Sequence, residues 1–158
     1  MAKFLNIVNR DQCIGCYSCM YACSRMLRAH GGTEKSALRV RAYAGVEGAF
    51  SLRVCAGCEE PECAAACPKG ALTVAPSGGI RLKRELCINC RKCVKGCKIS
   101  ALQWDWEEKI PIPCVHCGQC AKYCPNGVIA LAERKSQNAN VSGGAPETPE
   151  TSETEAVS

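Results

Sequence analysis

Hydrophobic and polar residues alternate along only a few short stretches of this chain. Residues 36–44 and 49–54 alternate with the period of half-buried strands, and Gly45 to Gly48 between them predicts a hairpin turn. Residues 71–75 and 80–83 alternate around a Pro- and Gly-containing turn, which predicts a second hairpin. The best helical stretch covers residues 19–29 and is followed by two glycines, and short helical turns are expected in the other cysteine-rich segments.

The composition explains why this pattern is so weakly hydrophobic. Of 158 residues, 16 are cysteine and only 5 % are aromatic, so a conventional core is thin and disulfides or metal must stabilise the chain. The first ten residues lack a signal-peptide pattern, and no apolar run is long enough to cross a bilayer, so we expect no direct membrane insertion. We therefore expect a cytoplasmic protein, in which dense cysteine indicates metal, although export together with a signal-bearing partner stays open.

The cysteines form four groups of four, here called quartets, and none is left over. Three quartets share the spacing C-x2-C-x2-C-x3-C, whereas the second has C-x2-C-x4-C-x3-C. This internal repeat governs the fold more than periodicity does. In chain order the quartets are Cys13, Cys16, Cys19 and Cys23; Cys55, Cys58, Cys63 and Cys67; Cys87, Cys90, Cys93 and Cys97; and Cys114, Cys117, Cys120 and Cys124.

The quartet spacing is typical of bacterial-type ferredoxins. Three cysteines, each three residues apart, wrap around three corners of a cubane, and the fourth points past it to ligate a neighbouring cluster. Structural zinc sites lack this third step, and disulfide frameworks have no such register. We therefore predict that the sixteen thiolates bind four [4Fe–4S] clusters.

Two pairings of the quartets are compatible with the gaps between them. The second and third quartets are joined by a compact hairpin, so they could form an inner two-cluster unit around which the first and fourth quartets pair. Sequential pairing, first with second and third with fourth, is the alternative, although the 24–54 gap is long for it. The nested scheme that we favour gives four ligand sets: Cys13, Cys16, Cys19 and Cys124 (cluster A); Cys23, Cys114, Cys117 and Cys120 (cluster B); Cys55, Cys58, Cys63 and Cys97 (cluster C); and Cys67, Cys87, Cys90 and Cys93 (cluster D).

The four motifs together resemble the four-cluster electron-transfer subunits of molybdenum and tungsten oxidoreductases. The irregular second quartet is similar to that of dimethyl-sulfoxide-reductase-type subunits, but this chain lacks their usual insertion in the fourth quartet. The small size and the regular fourth quartet resemble the small polyferredoxin subunit of bacterial tungsten aldehyde oxidoreductases, with the small subunit of tungsten-dependent benzoyl-CoA reductase as a neighbour. The resemblance covers residues 3–135. It implies a large tungsten or molybdenum pterin catalytic subunit as partner and a flavin-containing, NAD-linked subunit.

The expected architecture is α+β, with two nested ferredoxin-like units holding four clusters in a file. Residues 1–135 form the four-cluster domain, with residues 55–98 as the inner unit. Residues 136–158 contain four Glu, no Lys or Arg and no aromatic residue, which predicts a flexible acidic tail. A file open at both ends could also join copies of this chain, which we treat as a hypothesis.

The remaining chemistry-bearing residues predict no catalytic site. His116 lies between two cysteines, but the ligand count is complete without it, so we interpret it as packing near a cluster. Arg91, Lys92, Lys95 and Lys98 either compensate cluster charge, dock an acidic partner, or form a solvated face. No paired-carboxylate, Ser/His/Asp or phosphate-loop pattern is present.

Three function classes stay open: a non-catalytic electron-transfer subunit, a freely diffusing polyferredoxin, and a zinc-stapled structural or nucleic-acid-binding module. The formal charge of +5 favours the last class only at first sight. Sixteen thiolates and four [4Fe–4S]2+ cores change it by −8, to −3, which argues against a nucleic-acid partner.

Overall fold

The computed structural model describes residues 3–76 and 78–133, so the predicted tail at 136–158 lies outside the described residues. The described part contains eight short strands, four α-helices and two 3-10 turns (Arg10–Gln12 and Arg84–Leu86), which is the α+β class that the sequence predicts. The strands are β1 (Lys3–Ile7), β2 (Arg39–Ala42), β3 (Phe50–Arg53), β4 (Leu72–Val74), β5 (Ile80–Leu82), β6 (Gln103–Asp105), β7 (Ile110–Ile112) and β8 (Ile129–Glu133). The helices are α1 (Ser18–Arg28), α2 (Glu62–Ala65), α3 (Lys92–Lys95) and α4 (Gln119–Lys122).

The strands pair two by two into antiparallel ladders. Both predicted hairpins are confirmed: β2 pairs with β3, placing Val40 opposite Leu52, and β4 pairs with β5, placing Leu72 opposite Leu82. Two further ladders were not predicted. β6 pairs with β7, and β1 pairs with β8 across almost the whole described chain, with Leu5 opposite Leu131.

Each helix begins at the residue before the third cysteine of a quartet. Helix α1 is the long one because the chain continues helically beyond Cys23, and it ends at Arg28. The helix predicted over residues 19–29 is confirmed to within one residue at each end, and it closes ahead of Gly31 and Gly32 because Ala29 adopts a left-handed conformation (φ 50°) and its N–H bonds to the Arg25 carbonyl. The other three helices are single turns.

The helices pack in two pairs that combine distant parts of the chain. Helix α1 contacts α4, and helix α2 contacts α3. The first and last quartets therefore share one helix pair, and the two middle quartets share the other.

Two small hydrophobic cores lie beside these helix pairs, and buried cysteines belong to both. The smaller core contains Leu72, Ile80, Cys93 and Leu102. The larger one includes Leu5, Cys19, Met20, Cys23, Leu38, Val40, Leu52, Ile112, Cys120 and Val128. The thin core that the composition predicts is thus divided between two sites, each next to cysteine sulfur. No helix in the described residues is both long and apolar enough to cross a membrane.

Candidate iron–sulfur sites

The loop between the first two cysteines of every quartet turns at the same position. The residue just before the second cysteine has a positive φ in all four loops, and three quartets have a second such residue directly after that cysteine. Left-handed residues bend the backbone into a concave turn suited to an anionic group. Backbone N–H groups in two of these loops bond to cysteine sulfur, that of Gly57 to Cys55 and that of His116 to Cys114. The first set comprises Gly15 (φ 65°), Gly57 (62°), Asn89 (57°) and His116 (54°), and the second comprises Tyr17 (58°), Arg91 (58°) and Gly118 (77°).

The third cysteine of each quartet lies on the helix that follows this turn. Cys19, Cys93 and Cys120 are buried. Burial, and to a lesser extent the sulfur atoms of neighbouring cysteines, raises the pKa of Cys19 and of Cys120 to about 12 and that of Cys93 to about 11. Because a cluster binds the thiolate, these cysteines need iron to carry their negative charge inside the protein.

The fourth cysteine of the last three quartets is followed by one recurring turn. In each turn the residue three positions after the cysteine has a positive φ, namely Gly70 (60°), Ser100 (50°) and Gly127 (59°). The next residue then donates its N–H to the cysteine sulfur: Ala71 to Cys67 at 3.2 Å, Ala101 to Cys97 at 3.3 Å and Val128 to Cys124 at 3.3 Å. Such N–H donors stabilise negative charge on cluster sulfur.

The first quartet supplies this donor differently. Cys23 lies inside α1, so no tight turn follows it, and its sulfur accepts the N–H of Ala37 at 3.3 Å. Burial raises the pKa of Cys23, and the Ala37 N–H and the Ser36 hydroxyl partly offset this rise. The donor to this cysteine therefore comes from a loop fourteen residues further along the chain.

Two cavities bring cysteines of the first and last quartets together. One has Cys13, Cys16, Cys19 and Cys124 in its lining. The other is lined by Cys23, Cys114, Cys117 and Cys120 together with apolar side chains such as Leu5 and Leu38.

The middle quartets meet in the same crossed manner. The pKa of Cys63 is raised to about 11, chiefly by burial and then by the sulfur atoms of Cys97, Cys55 and Cys58. Likewise, the sulfur atoms that raise the pKa of Cys93 are those of Cys67, Cys90 and Cys87. Three cysteines of one quartet thus lie near the fourth cysteine of the other.

The donor set and the cavities fit a cubane better than a single ion. Within residues 3–76 and 78–133, no group of Cys, His, Asp or Glu is gathered for one metal ion. Each of the two cavities instead has four cysteines in its lining, three from one quartet and one from the other, as expected for ligands at the corners of a cluster of four irons and four sulfides.

The second and the last quartet come close to each other. Burial raises the pKa of Cys114, and Cys55 of the second quartet is among the sulfurs that raise it further. His116 is only 3 % exposed, and its ring lies against Gly57. Sequence reasoning had no signal for this contact because it joins two quartets through space.

The basic residues around the third quartet fall into more than one environment. Lys98 forms an ion pair with Glu62, and the Arg91 guanidinium stacks 5.3 Å from the ring centroid of Trp106, which is 73 % exposed. Lys92 and Lys95 lie on α3 next to Cys93.

Comparison with known proteins agrees with this description. Residues 86–129 match the family described as "4Fe-4S dicluster domain", and residues 10–26 match the "4Fe-4S binding domain". The chain is 33 % identical over 113 residues to formate hydrogenlyase subunit 2 of Escherichia coli strain K12, covering 72 % of this chain and 53 % of that protein. It is 29 % identical over 109 residues to a subunit of the selenate reductase of Mesobacillus selenatarsenatis (67 % and 37 %). It is 28 % identical over 145 residues to a subunit of the anaerobic dimethyl sulfoxide reductase of Haemophilus influenzae (77 % and 70 %).

The chain spans about half the length of the first of these relatives. The matches confirm [4Fe–4S] clusters as the cofactor, and sixteen cysteines in ferredoxin-like motifs are consistent with four of them. The chain thus carries ferredoxin-type 4Fe–4S domains and is homologous to iron–sulfur electron-transfer subunits of reductase complexes, which are not themselves catalytic.

Proposed function

We propose that this chain carries electrons through four [4Fe–4S] clusters between a tungsten or molybdenum pterin catalytic subunit and a flavin subunit or other redox partner. The observation that carries the proposal is the chain of contacts between cysteine groups. Helix α1 holds Cys19 and Cys23, which line two different cavities. Helix α1 packs against α4 and α2 against α3, and Cys55 and Cys114 lie where the two helix pairs approach each other. Such continuity is what electron transfer over several clusters requires.

The nested ligand scheme is part of this proposal. Its support is that Cys124 lines a cavity with Cys13, Cys16 and Cys19, and that Cys97 lies near Cys63 of the second quartet. Sequential pairing would instead need Cys124 beside the third quartet. The antiparallel pairing of β1 with β8, which brings the two ends of the described chain together, also favours nesting.

Removing one fourth cysteine tests the scheme directly. In a Cys124→Ala variant purified without oxygen, cluster A is lost, so Cys13, Cys16 and Cys19 become open to alkylation and are identified by peptide mass spectrometry. Sequential pairing predicts alkylation of the first three cysteines of the third quartet instead. Cys97→Ala is the matched variant, for which nesting predicts alkylation of Cys55, Cys58 and Cys63.

The partner enzyme is tested by what co-purifies with the tagged chain. We expect a large subunit containing tungsten or molybdenum and a pterin, and a subunit containing flavin, with about sixteen irons for each copy of this chain. Aldehyde oxidoreductase is the partner that the small size and regular fourth quartet favour, whereas the matched relatives include subunits of formate hydrogenlyase and of selenate and dimethyl sulfoxide reductases. Aldehyde-dependent reduction of the clusters in the purified complex distinguishes these cases. A chain that purifies with about four irons contradicts the whole proposal.

A further inference from the structure

A group of charged side chains connects the loop after α1 with the β6–β7 hairpin. Lys35 lies in the loop after α1, and its Nζ is 3.5 Å from Asp105 Oδ2, 2.7 Å from Glu107 Oε2 and 3.5 Å from Glu108 Oε1. The three carboxylates belong to the end of β6 and the turn that follows it. Asp105 is the buried partner, with 3 % of its side chain exposed, whereas the Glu107 side chain is 79 % exposed.

The loop that Lys35 anchors is the one that donates to Cys23. Ser36 follows Lys35 and is fully buried, and its hydroxyl donates to the Leu38 carbonyl at 2.9 Å. Between them, Ala37 directs its N–H at the Cys23 sulfur. Lys35 is thus two residues from this donor, in a segment tightened by its own hydrogen bonds.

This anchoring has a physical reason in the local sequence. In the other three quartets the N–H donor is four residues from its cysteine and is fixed by the intervening turn. The Ala37 donor is fourteen residues from Cys23, so no turn can fix it. Contacts with the β6–β7 hairpin replace that turn: the ion pairs of Lys35, and a 3.3 Å hydrogen bond from Arg39 Nε to Gln103 Oε1.

We propose that Lys35 and Asp105 are positioning residues that set the reduction potential of the cluster ligated by Cys23. They hold the Ala37 N–H against the cysteine sulfur. There the N–H stabilises the reduced cluster, which carries one more negative charge, and so makes the reduction potential of the cluster more positive. The proposal rests on the ligation of Cys23 given under "Proposed function".

Two substitutions separate positioning from a direct charge effect. Lys35→Met removes a positive charge and also the anchor, so both explanations predict a more negative potential. Asp105→Asn removes a negative charge, which through space alone would make the potential more positive. Positioning predicts the opposite, a more negative potential, because the buried partner of Lys35 is lost. Asparagine keeps an oxygen to accept the N–H groups of Glu107 and Glu108, which Asp105 Oδ1 binds at 3.0 Å.

The experiment is a redox titration of the full chain, purified without oxygen and monitored by EPR, with iron content measured for every variant. One midpoint potential of the four is expected to shift to a more negative value in Lys35→Met and in Asp105→Asn. Ser36→Ala should shift the same midpoint, which identifies it as that of the cluster next to Cys23. Lys35→Arg should restore the wild-type midpoint. Lys109→Met, which removes a positive charge from the exposed tip of the same hairpin, should leave it unchanged.

A second readout follows the donor itself. Hydrogen exchange at the Ala37 amide is expected to accelerate in Lys35→Met and Asp105→Asn but not in Lys109→Met. If Asp105→Asn loses iron, Glu107→Gln provides the milder perturbation, with a smaller shift of the same sign.

The outcomes distinguish this inference from the function on which it depends. A midpoint that becomes more positive in Asp105→Asn, or four unchanged midpoints at full iron content, overturns the positioning role and leaves the electron-transfer function standing. A wild-type chain without four titrating clusters overturns the proposed function itself.

Discussion

The contact between Gly57 and His116 gives a prediction that can be worked out in detail. Gly57 has a φ of 62°, and a methyl group added to it would lie 2.7 Å from His116 Cε1 and 3.1 Å from Phe4 Cβ. Replacing Gly57 with alanine therefore tests how closely the second and fourth quartets pack. The matched background is His116→Asn, because Asn89 occupies the corresponding left-handed position of the third quartet.

The expected cost has two parts. A left-handed alanine costs about 1–2 kcal/mol, of which about 0.4–1 kcal/mol is offset by the smaller conformational freedom of the unfolded chain. Overpacking against the His116 ring adds about 1–3 kcal/mol. Only the overpacking cost depends on the His116 ring. The coupling energy between Gly57→Ala and His116→Asn is therefore about 2 kcal/mol, which corresponds to roughly a thirtyfold difference in the rate of cluster loss.

The assay is the anaerobic loss of cluster absorbance in guanidinium chloride, followed as a rate because unfolding of such a protein is irreversible. Gly57→Ala should accelerate this loss roughly ten- to hundredfold in the wild-type background, if the contact forms late in folding, and only a few-fold in the His116→Asn background. Equal acceleration in both backgrounds would refute the steric reasoning.

Three further predictions concern the turns, the core and the iron. Ser100→Gly should slow cluster loss, because glycine relieves the left-handed strain at φ 50° and stabilises the folded chain by about 0.5–1 kcal/mol. Gly127→Ser in the equivalent turn should accelerate cluster loss by a similar factor. Ile112→Ala should destabilise the larger core by about 2–5 kcal/mol, seen as faster iron release than in an exposed Val46→Ala control. Anaerobic chelation of the iron should abolish the strand and helix signals in circular dichroism, and a chain that keeps them without iron would show that its two small cores suffice.

The local elements could be predicted from the sequence because short-range patterns determine them. Residues 36–44 and 49–54 alternate and form β2 and β3, and the quartet spacing marks where each helix begins. The end of α1 was placed to within one residue, at residue 29. The sequence did not indicate that Ala29, and not one of the nearby glycines, adopts the left-handed conformation that closes the helix.

Long-range pairings could not be predicted for a different reason. β1 and β8 have ordinary strand compositions, and only closure of the fold brings Leu5 opposite Leu131. β7 contains Pro111, which weakens any strand prediction, although it tolerates an edge position in a two-stranded ladder. The ion pair between Lys35 and Asp105 spans seventy residues, and nothing in either local sequence marks it.

The pairing of β1 with β8 also bears on how the protein is made. On a ribosome the two middle quartets emerge within one continuous segment, so they can assemble while translation continues. β1 is made before these quartets but finds its partner strand only after more than a hundred further residues, a wait on the order of ten seconds at typical synthesis rates. If the first quartet is ligated together with the last, as we propose, its cysteines are exposed to oxidants and to competing metals during that interval, so we expect that correct maturation depends on the cell shielding or reducing the nascent segment that holds them.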